Sequence, residues 1–194
     1  MRKAFCITIL LTALAPSWGW TAELIIGGGF EEGDFGAQWV HGAKLTQGMG
    51  GNPDWADHQV VMDPSYEGSY SALLGFKYTV PKKDRMGYMY QDILIPADIS
   101  GVTLYFHYRQ QGYDGQNQDP FTAEIRDLSG NTLETVVQQS FAERNYQFKD
   151  SGWIGPVEFD LSGYAGMIVR IYFEQLNSND GIYQTWTFID NVSV

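Results

Sequence analysis

Between residues 102 and 109 the chain alternates without a miss, with Val102, Leu104, Phe106 and Tyr108 on one side and Thr103, Tyr105, His107 and Arg109 on the other. Successive side chains of a strand point to opposite faces, so this stretch predicts a strand with a core side and an outer side. The same period recurs where Phe121, Ala123 and Ile125 alternate with Thr122, Glu124 and Arg126, and where Val169, Ile171 and Phe173 alternate with Arg170, Tyr172 and Glu174. Asp127-Leu128-Ser129-Gly130-Asn131 reads as a turn into residues 132–137, which makes a hairpin. Residues 86–95 carry apolar side chains on both faces, the pattern of a central strand covered on each side, and Pro96 ends it. Further strands are expected at 23–26, 37–40, 58–62, 69–75 and 186–194, and a single helical turn at 162–165. No sustained period of 3.6 appears, and aromatics at 15% with 22 glycines favour strands and turns. About ten short strands separated by turn signals predict an all-β, two-sheet antiparallel jelly-roll sandwich formed by residues 23–194 as one domain.

Arg2 and Lys3 precede an apolar run over residues 4–15, then Pro16 and small residues, which reads as a secretory signal peptide over residues 1–19, with cleavage as late as Ala22 as the alternative. The run is too short to span a bilayer, and no later stretch is apolar enough, so no membrane insertion is expected after cleavage. Cys6 is the one cysteine and falls inside this segment, so the exported domain, secreted or periplasmic, would hold no disulfide. Removing Arg2 and Lys3 from the 12 basic residues leaves ten against 23 acidic ones, a net charge of −13. Such a surface repels phosphate backbones and anionic headgroups, which argues against nucleic acid and lipid surfaces and is compatible with neutral glycans or divalent cations.

The last stretch, Trp186-Thr187-Phe188-Ile189-Asp190-Asn191-Val192-Ser193-Val194, sets a carboxylate into an apolar row. With a period of two, Trp186, Phe188, Asp190, Val192 and Val194 share one face. A buried carboxylate needs a cation or several hydrogen-bond donors. Gly27-Gly28-Gly29-Phe30-Glu31-Glu32-Gly33, near the other end, is a second acidic site whose glycines permit close backbone approach or a plain bulge. The expectation is that the two ends meet around a calcium ion; the alternative is that Glu31 caps a turn and Asp190 accepts backbone amides. Trp55, in a loop of turn residues, either folds over the core or stands out as a platform.

Signatures of catalysis are sparse. There is no His-Glu-x-x-His, and His41, His58 and His107 are scattered, which with no cysteine beyond the expected signal peptide makes a zinc site improbable. Gly68-Ser69-Tyr70-Ser71-Ala72 does not fit a nucleophile elbow. Asp114-Gly115-Gln116-Asn117-Gln118-Asp119 lacks the glycine and glutamate of a helix-loop-helix calcium loop and reads as a solvated loop, and Asn177-Ser178-Asn179-Asp180-Gly181 as a turn. No compact acidic motif supports a glycoside hydrolase, so the chain is read as no enzyme, with that activity the remote alternative.

The order Gly28-Gly29-Phe30-Glu31, Trp39, Glu67-Gly68-Ser69-Tyr70-Ser71-Ala72, Gln91-Asp92-Ile93, Ile95-Pro96-Ala97, Phe159-Asp160-Leu161-Ser162 and Phe188-Ile189-Asp190-Asn191-Val192 resembles bacterial secreted jelly-roll modules. These are the carbohydrate-binding modules of galactose-binding-like fold and the MAM-like modules of secreted peptidases. The resemblance implies a structural calcium between first and last strands, held by Glu31 and Asp190 with main-chain oxygens near Gly29 and Ser69; Gly27 stands where relatives often carry Asn. It also implies a non-catalytic carbohydrate-binding module, for which Tyr105, His107, Arg109, Tyr113, Tyr172 and Tyr183 are the candidate ligand residues, since sugar rings stack on aromatic faces. Tyr105, His107, Arg109 and the row of Tyr172 are expected to line one sheet's outer face. The alternative is a structural or adhesive domain whose partner is another extracellular protein or the cell envelope.

Overall fold

Each alternating stretch forms the strand its period implies, and the computed structural model, which describes residues 23–45, 58–75, 85–99, 101–114, 118–142, 147–177 and 184–194, sorts them into two sheets. The five-stranded sheet runs β1 (Val40–Leu45), β4 (Arg85–Leu94), β10 (Ile168–Asn177), β6 (Phe121–Arg126) and β7 (Thr132–Gln139). The six-stranded sheet runs β2 (His58–Val61), β3 (Ser71–Gly75), β11 (Thr185–Ser193) and β5 (Thr103–Gly112), and both β8 (Lys149–Asp150) and β9 (Ile154–Asp160) pair with β5. Every pairing is antiparallel. The protein is therefore all-β, a two-sheet antiparallel sandwich. The expected signal peptide with Cys6, and the loop of Trp55, lie outside the described residues, as does Tyr183. The described residues contain no helix long and apolar enough to cross a membrane.

The core is made by the inward rows of both sheets. Met89 and Ile93, Val169, Ile171 and Phe173, and Phe121, Ala123 and Ile125 face Ala72, Leu74, Leu104, Phe106, Tyr108 and Ile189, all buried. Phe173 sits at the centre, edge-on to Phe106 at 5.1 Å between centroids and stacked with Phe121 at 6.4 Å. At one end the inward rows turn polar and satisfy one another: the Thr187 hydroxyl donates to Gln175 Oε1 at 2.7 Å, and Gln175 Nε2 to the Asp119 carbonyl at 2.9 Å. Asp114 and Asp119, expected in a solvated loop, are both buried there, and Asn177 Nδ2 donates to Asp119 Oδ2.

Three expectations about elements are corrected, and one strand, β9, is unexpected. Residues 23–26 are not a ladder strand: a side chain bonds that segment, since Gln91 accepts from the Ile26 N–H at 2.9 Å and donates to its carbonyl at 3.0 Å. Residues 37–38 are a turn, and β1 begins at Val40. β4 is an interior strand of its sheet, between β1 and β10, but covered on one face only; its outer row holds half-buried Tyr88 and Tyr90 and exposed Leu94. β9 has no alternation strong enough to announce it, because Gly155-Pro156 interrupts the period. The expected turn at 162–165 is present as a 3-10 turn over Ser162–Tyr164.

β11 departs from simple alternation in a way that makes the site. Thr187 and Ile189 point inward, Trp186, Phe188 and Asp190 outward, and then the register with β5 shifts between Asp190 and Ser193. Asn191 there adopts φ 51°, a left-handed conformation that Asn tolerates. The bulge turns Val192 into the core, so Val192 and Asp190 do not share a face as strict alternation predicts.

Candidate functional site

The first and last segments of the described chain meet. The Leu24 N–H donates to the Val194 carbonyl and the Val192 N–H to the Gly28 carbonyl, both at 3.0 Å. A Cβ on Gly28 would lie 1.8 Å from the Val192 carbonyl oxygen, so this approach requires glycine. Glu31 and Asp190 then face the loop joining β2 to β3. Asp190 is fully buried and accepts from the Tyr66 N–H at 2.8 Å and the Glu67 N–H at 3.1 Å through Oδ2, and from the Asn191 N–H at 2.7 Å through Oδ1. Glu31 accepts from the Ser69 N–H through both oxygens, at 3.0 and 2.9 Å, and from the Tyr70 N–H at 3.1 Å. Two carboxylates far apart in sequence thus hold four successive-region amides of one loop. Gly68, at φ 65°, lies between them, and a Cβ there would be 2.4 Å from the Glu31 carboxylate.

Burial pushes the Asp190 carboxyl above its ordinary range, the amides of Glu67, Tyr66 and Asn191 pull it down, and Glu31 raises it again. Glu31, Glu67, Asp190, Gly29, Gly68 and Asn191 line a cavity of about 370 Å³, with no lysine or arginine in its wall among the described residues. Hard oxygens from carboxylates and glycine-rich backbone suit calcium chemically. Yet among the described residues no three His, Cys, Asp or Glu side chains converge closely enough to hold a metal, and the amide bonds already satisfy much of both carboxylates. The Ser69 N–H is directed at Glu31.

The loop so clamped carries Tyr66 over the outer face of the six-stranded sheet. Its ring stacks on His107 at 3.6 Å and 13°, and meets Trp153 edge-on at 5.8 Å. Trp153 packs on a buried outer cluster of Leu73, Trp186 and Phe188. Beyond Trp186 lie Phe148 at 6.2 Å and Tyr113 at 6.4 Å. Tyr66, Tyr113 and Phe148 are 46%, 40% and 50% exposed, whereas Trp186 between them is buried, so open rings stand at the two ends of the strip. Polar groups run beside it: Arg109 Nε donates to Asp150 Oδ1 at 2.8 Å, its Nη2 pairs with Oδ2, and Gln111 Nε2 donates to the same oxygen at 2.9 Å. The Arg109 guanidinium is the main reason the Asp150 carboxyl is held down at about 2.

Tyr105, His107 and Arg109 share this outer face, as expected, but in different roles. Tyr105 is 38% exposed, His107 is buried beneath Tyr66, and Arg109 is tied to Asp150. Burial lowers the His107 pKa against the pull of Glu67, and among the described residues neither ring nitrogen has a hydrogen-bond partner. Tyr172 is not on this face. β10 belongs to the other sheet, where Tyr172 forms a ladder with Tyr88 and Tyr90, each at 6.1 Å, its ring covered by the Arg126 guanidinium at 3.4 Å. The two rows look alike in sequence, and strand pairing puts them on opposite sides of the sandwich. Sequence reasoning missed Tyr66 and Phe148; the only signal was a Tyr between Pro64 and Gly68 in a turn.

No protein-family model and no curated protein matches the chain. Solved structures of similar architecture include the K3 cleaved adhesin domain of Lys-gingipain from Porphyromonas gingivalis W83, at 14% identity and TM-score 0.50, covering 89% of this chain and 98% of that one. The enzymatically active domain of bacteriophage CBA120 tailspike protein 4 follows at 14% identity and TM-score 0.46; 88% of this chain is covered, and it spans 21% of that protein. The family 30 carbohydrate-binding module of a Clostridium thermocellum cellulosomal cellulase is similar at 12% identity and TM-score 0.38, with 81% of this chain and 91% of that one covered. Likeness at such identities bears on the fold alone, and of these three the adhesin domain is the one whose TM-score reaches 0.50.

Proposed function

We propose that the chain is a non-catalytic binding module, secreted or periplasmic, that takes a neutral glycan or polysaccharide on the outer face of the six-stranded sheet. The observation that carries this reading is the continuous strip from Tyr66 through Trp153 and the Trp186 cluster to Tyr113 and Phe148, with the Arg109–Asp150–Gln111 set beside it. Open rings stack on the apolar faces of sugars, and an adjoining charged pair accepts and donates to hydroxyls. Asp150 is held ionised by Arg109, which suits it to accepting hydrogen bonds and not to protonating a leaving group. A panel of neutral polysaccharides in affinity electrophoresis tests this. Tyr66→Ala and Tyr113→Ala should each weaken retention about tenfold or more, the loss typical of a central aromatic anchor, while Tyr172→Phe leaves it unchanged. Retention unchanged in both alanine variants would sink the assignment of this face. A protein or envelope partner is the second reading, favoured by the half-exposed apolar ring of Phe148; wild type that binds no polysaccharide but self-associates would select it.

The same proposal includes a structural calcium ion held by the carboxylates of Glu31 and Asp190, with main-chain oxygens near Gly29 and Ser69 completing its shell. It is supported by the oxygen-rich, cation-free wall and by the raised Asp190 carboxyl, whose burial a divalent charge would offset. Titration calorimetry with calcium chloride should show one site per chain that Asp190→Asn removes.

A further inference from the structure

His41 and His58 stand 17 residues apart, in strands that belong to different sheets. β1 is the edge of one sheet and β2 the edge of the other, and the two lie against each other along one side of the sandwich. His41 is paired with Met89 and His58 with Leu74, both core residues, so both imidazoles sit on the inward rows of their strands. Their Nδ1 atoms are 2.9 Å apart, with the rings tilted by 56°. Phe35 stacks on His41 at 4.2 Å and 20°, which fixes the plane of that ring. Burial lowers the pKa of both, and the nearness of His41 lowers that of His58 further.

We infer that this pair chelates a borderline divalent transition ion, copper(II) or nickel(II) ahead of zinc(II), and so ties the open edges of the two sheets together. Without metal, one Nδ1–H donates to the other Nδ1. Moving that proton to Nε2 of the same ring frees both lone pairs and releases no proton. At a metal–nitrogen bond of about 2.0–2.1 Å, the observed separation subtends roughly 90° at the ion, the angle of neighbouring positions in square-planar or octahedral geometry. A tetrahedral ion would need the nitrogens a few tenths of an ångström further apart. His41 is exposed, which leaves the remaining positions to water, and the acidic chain concentrates cations near its surface. Calcium prefers hard oxygen ligands and would not compete here, so the site is independent of the carboxylate cavity.

The test is titration calorimetry and thermal melting of the full chain with copper(II), nickel(II), zinc(II) and calcium chlorides, alongside His41→Gln and His58→Gln. Expected is one copper or nickel per chain, a rise in Tm on loading, at least a tenfold loss of affinity in either variant, and calcium binding equal in all three proteins. Nickel should also broaden the imidazole proton signals of these two histidines in the wild type. No stoichiometric binding by the wild type, or undiminished affinity in both variants, overturns the inference. A cooperative melt of each metal-free variant keeps a misfolded protein from being mistaken for a lost site.

Discussion

Asp190 is buried without a cationic side chain because three backbone amides reach it, and Gly68 keeps the loop that supplies two of them within reach of Glu31. Gly68→Ala adds a Cβ to a left-handed residue and drives it into the Glu31 carboxylate, so the loss combines backbone strain with a broken clamp. A destabilisation of about 2–4 kcal/mol is expected, read by calorimetry as a drop in Tm of roughly 4–16 °C for a chain of this size. Asp150 gives a pH prediction. Its carboxyl is held down at about 2, by Arg109 first, so the folded state binds this proton less readily than the unfolded chain. That stability is fully present above the unfolded value near 3.8 and is lost as pH falls through the folded value. Asp150→Asn should therefore flatten the fall of Tm between about pH 4 and 2, and an identical acid limb in wild type and variant would refute this coupling.

The element that does most for the site is the loop between β2 and β3, which is held by its main chain and displays its side chains. Asp190 grips the Tyr66 and Glu67 amides, and Glu31 those of Ser69 and Tyr70, leaving the Tyr66 ring free to stack on His107. Tyr66→Ala should consequently remove ligand retention with a change of only about 1 kcal/mol in stability, since the clamp does not use the ring. The bulge in β11 is the second decisive element. Asn191 holds φ 51°, which glycine adopts freely and a β-branched residue does not. Asn191→Gly should melt within a few degrees of wild type, whereas Asn191→Val should lose about 1–3 kcal/mol. Equal melting of the two would show that the left-handed turn is not what sets Asp190 against the loop.

Across the whole molecule, first and last segments close on each other through main-chain bonds, and calcium in the cavity they share would act on global stability by linkage. Saturating calcium should raise the Tm, chelation should lower it, and Asp190→Asn should show neither response; a wild-type melt indifferent to both would remove the ion from the account. What the sequence by itself determined is what a local period can encode: the strands of Leu104–Tyr108, Phe121–Ile125 and Val169–Phe173, the two sheets they imply, and the presence of an acidic residue near each end. It did not reveal that the row of Tyr105 and the row of Tyr172 face opposite sides, because alternation specifies two faces without saying which sheet a strand joins. Nor did it reveal the bulge at Asn191, the ring of Tyr66 over His107, or His41 beside His58. Those contacts join residues distant in sequence, and only antiparallel pairing across the sandwich decides which of them come within reach.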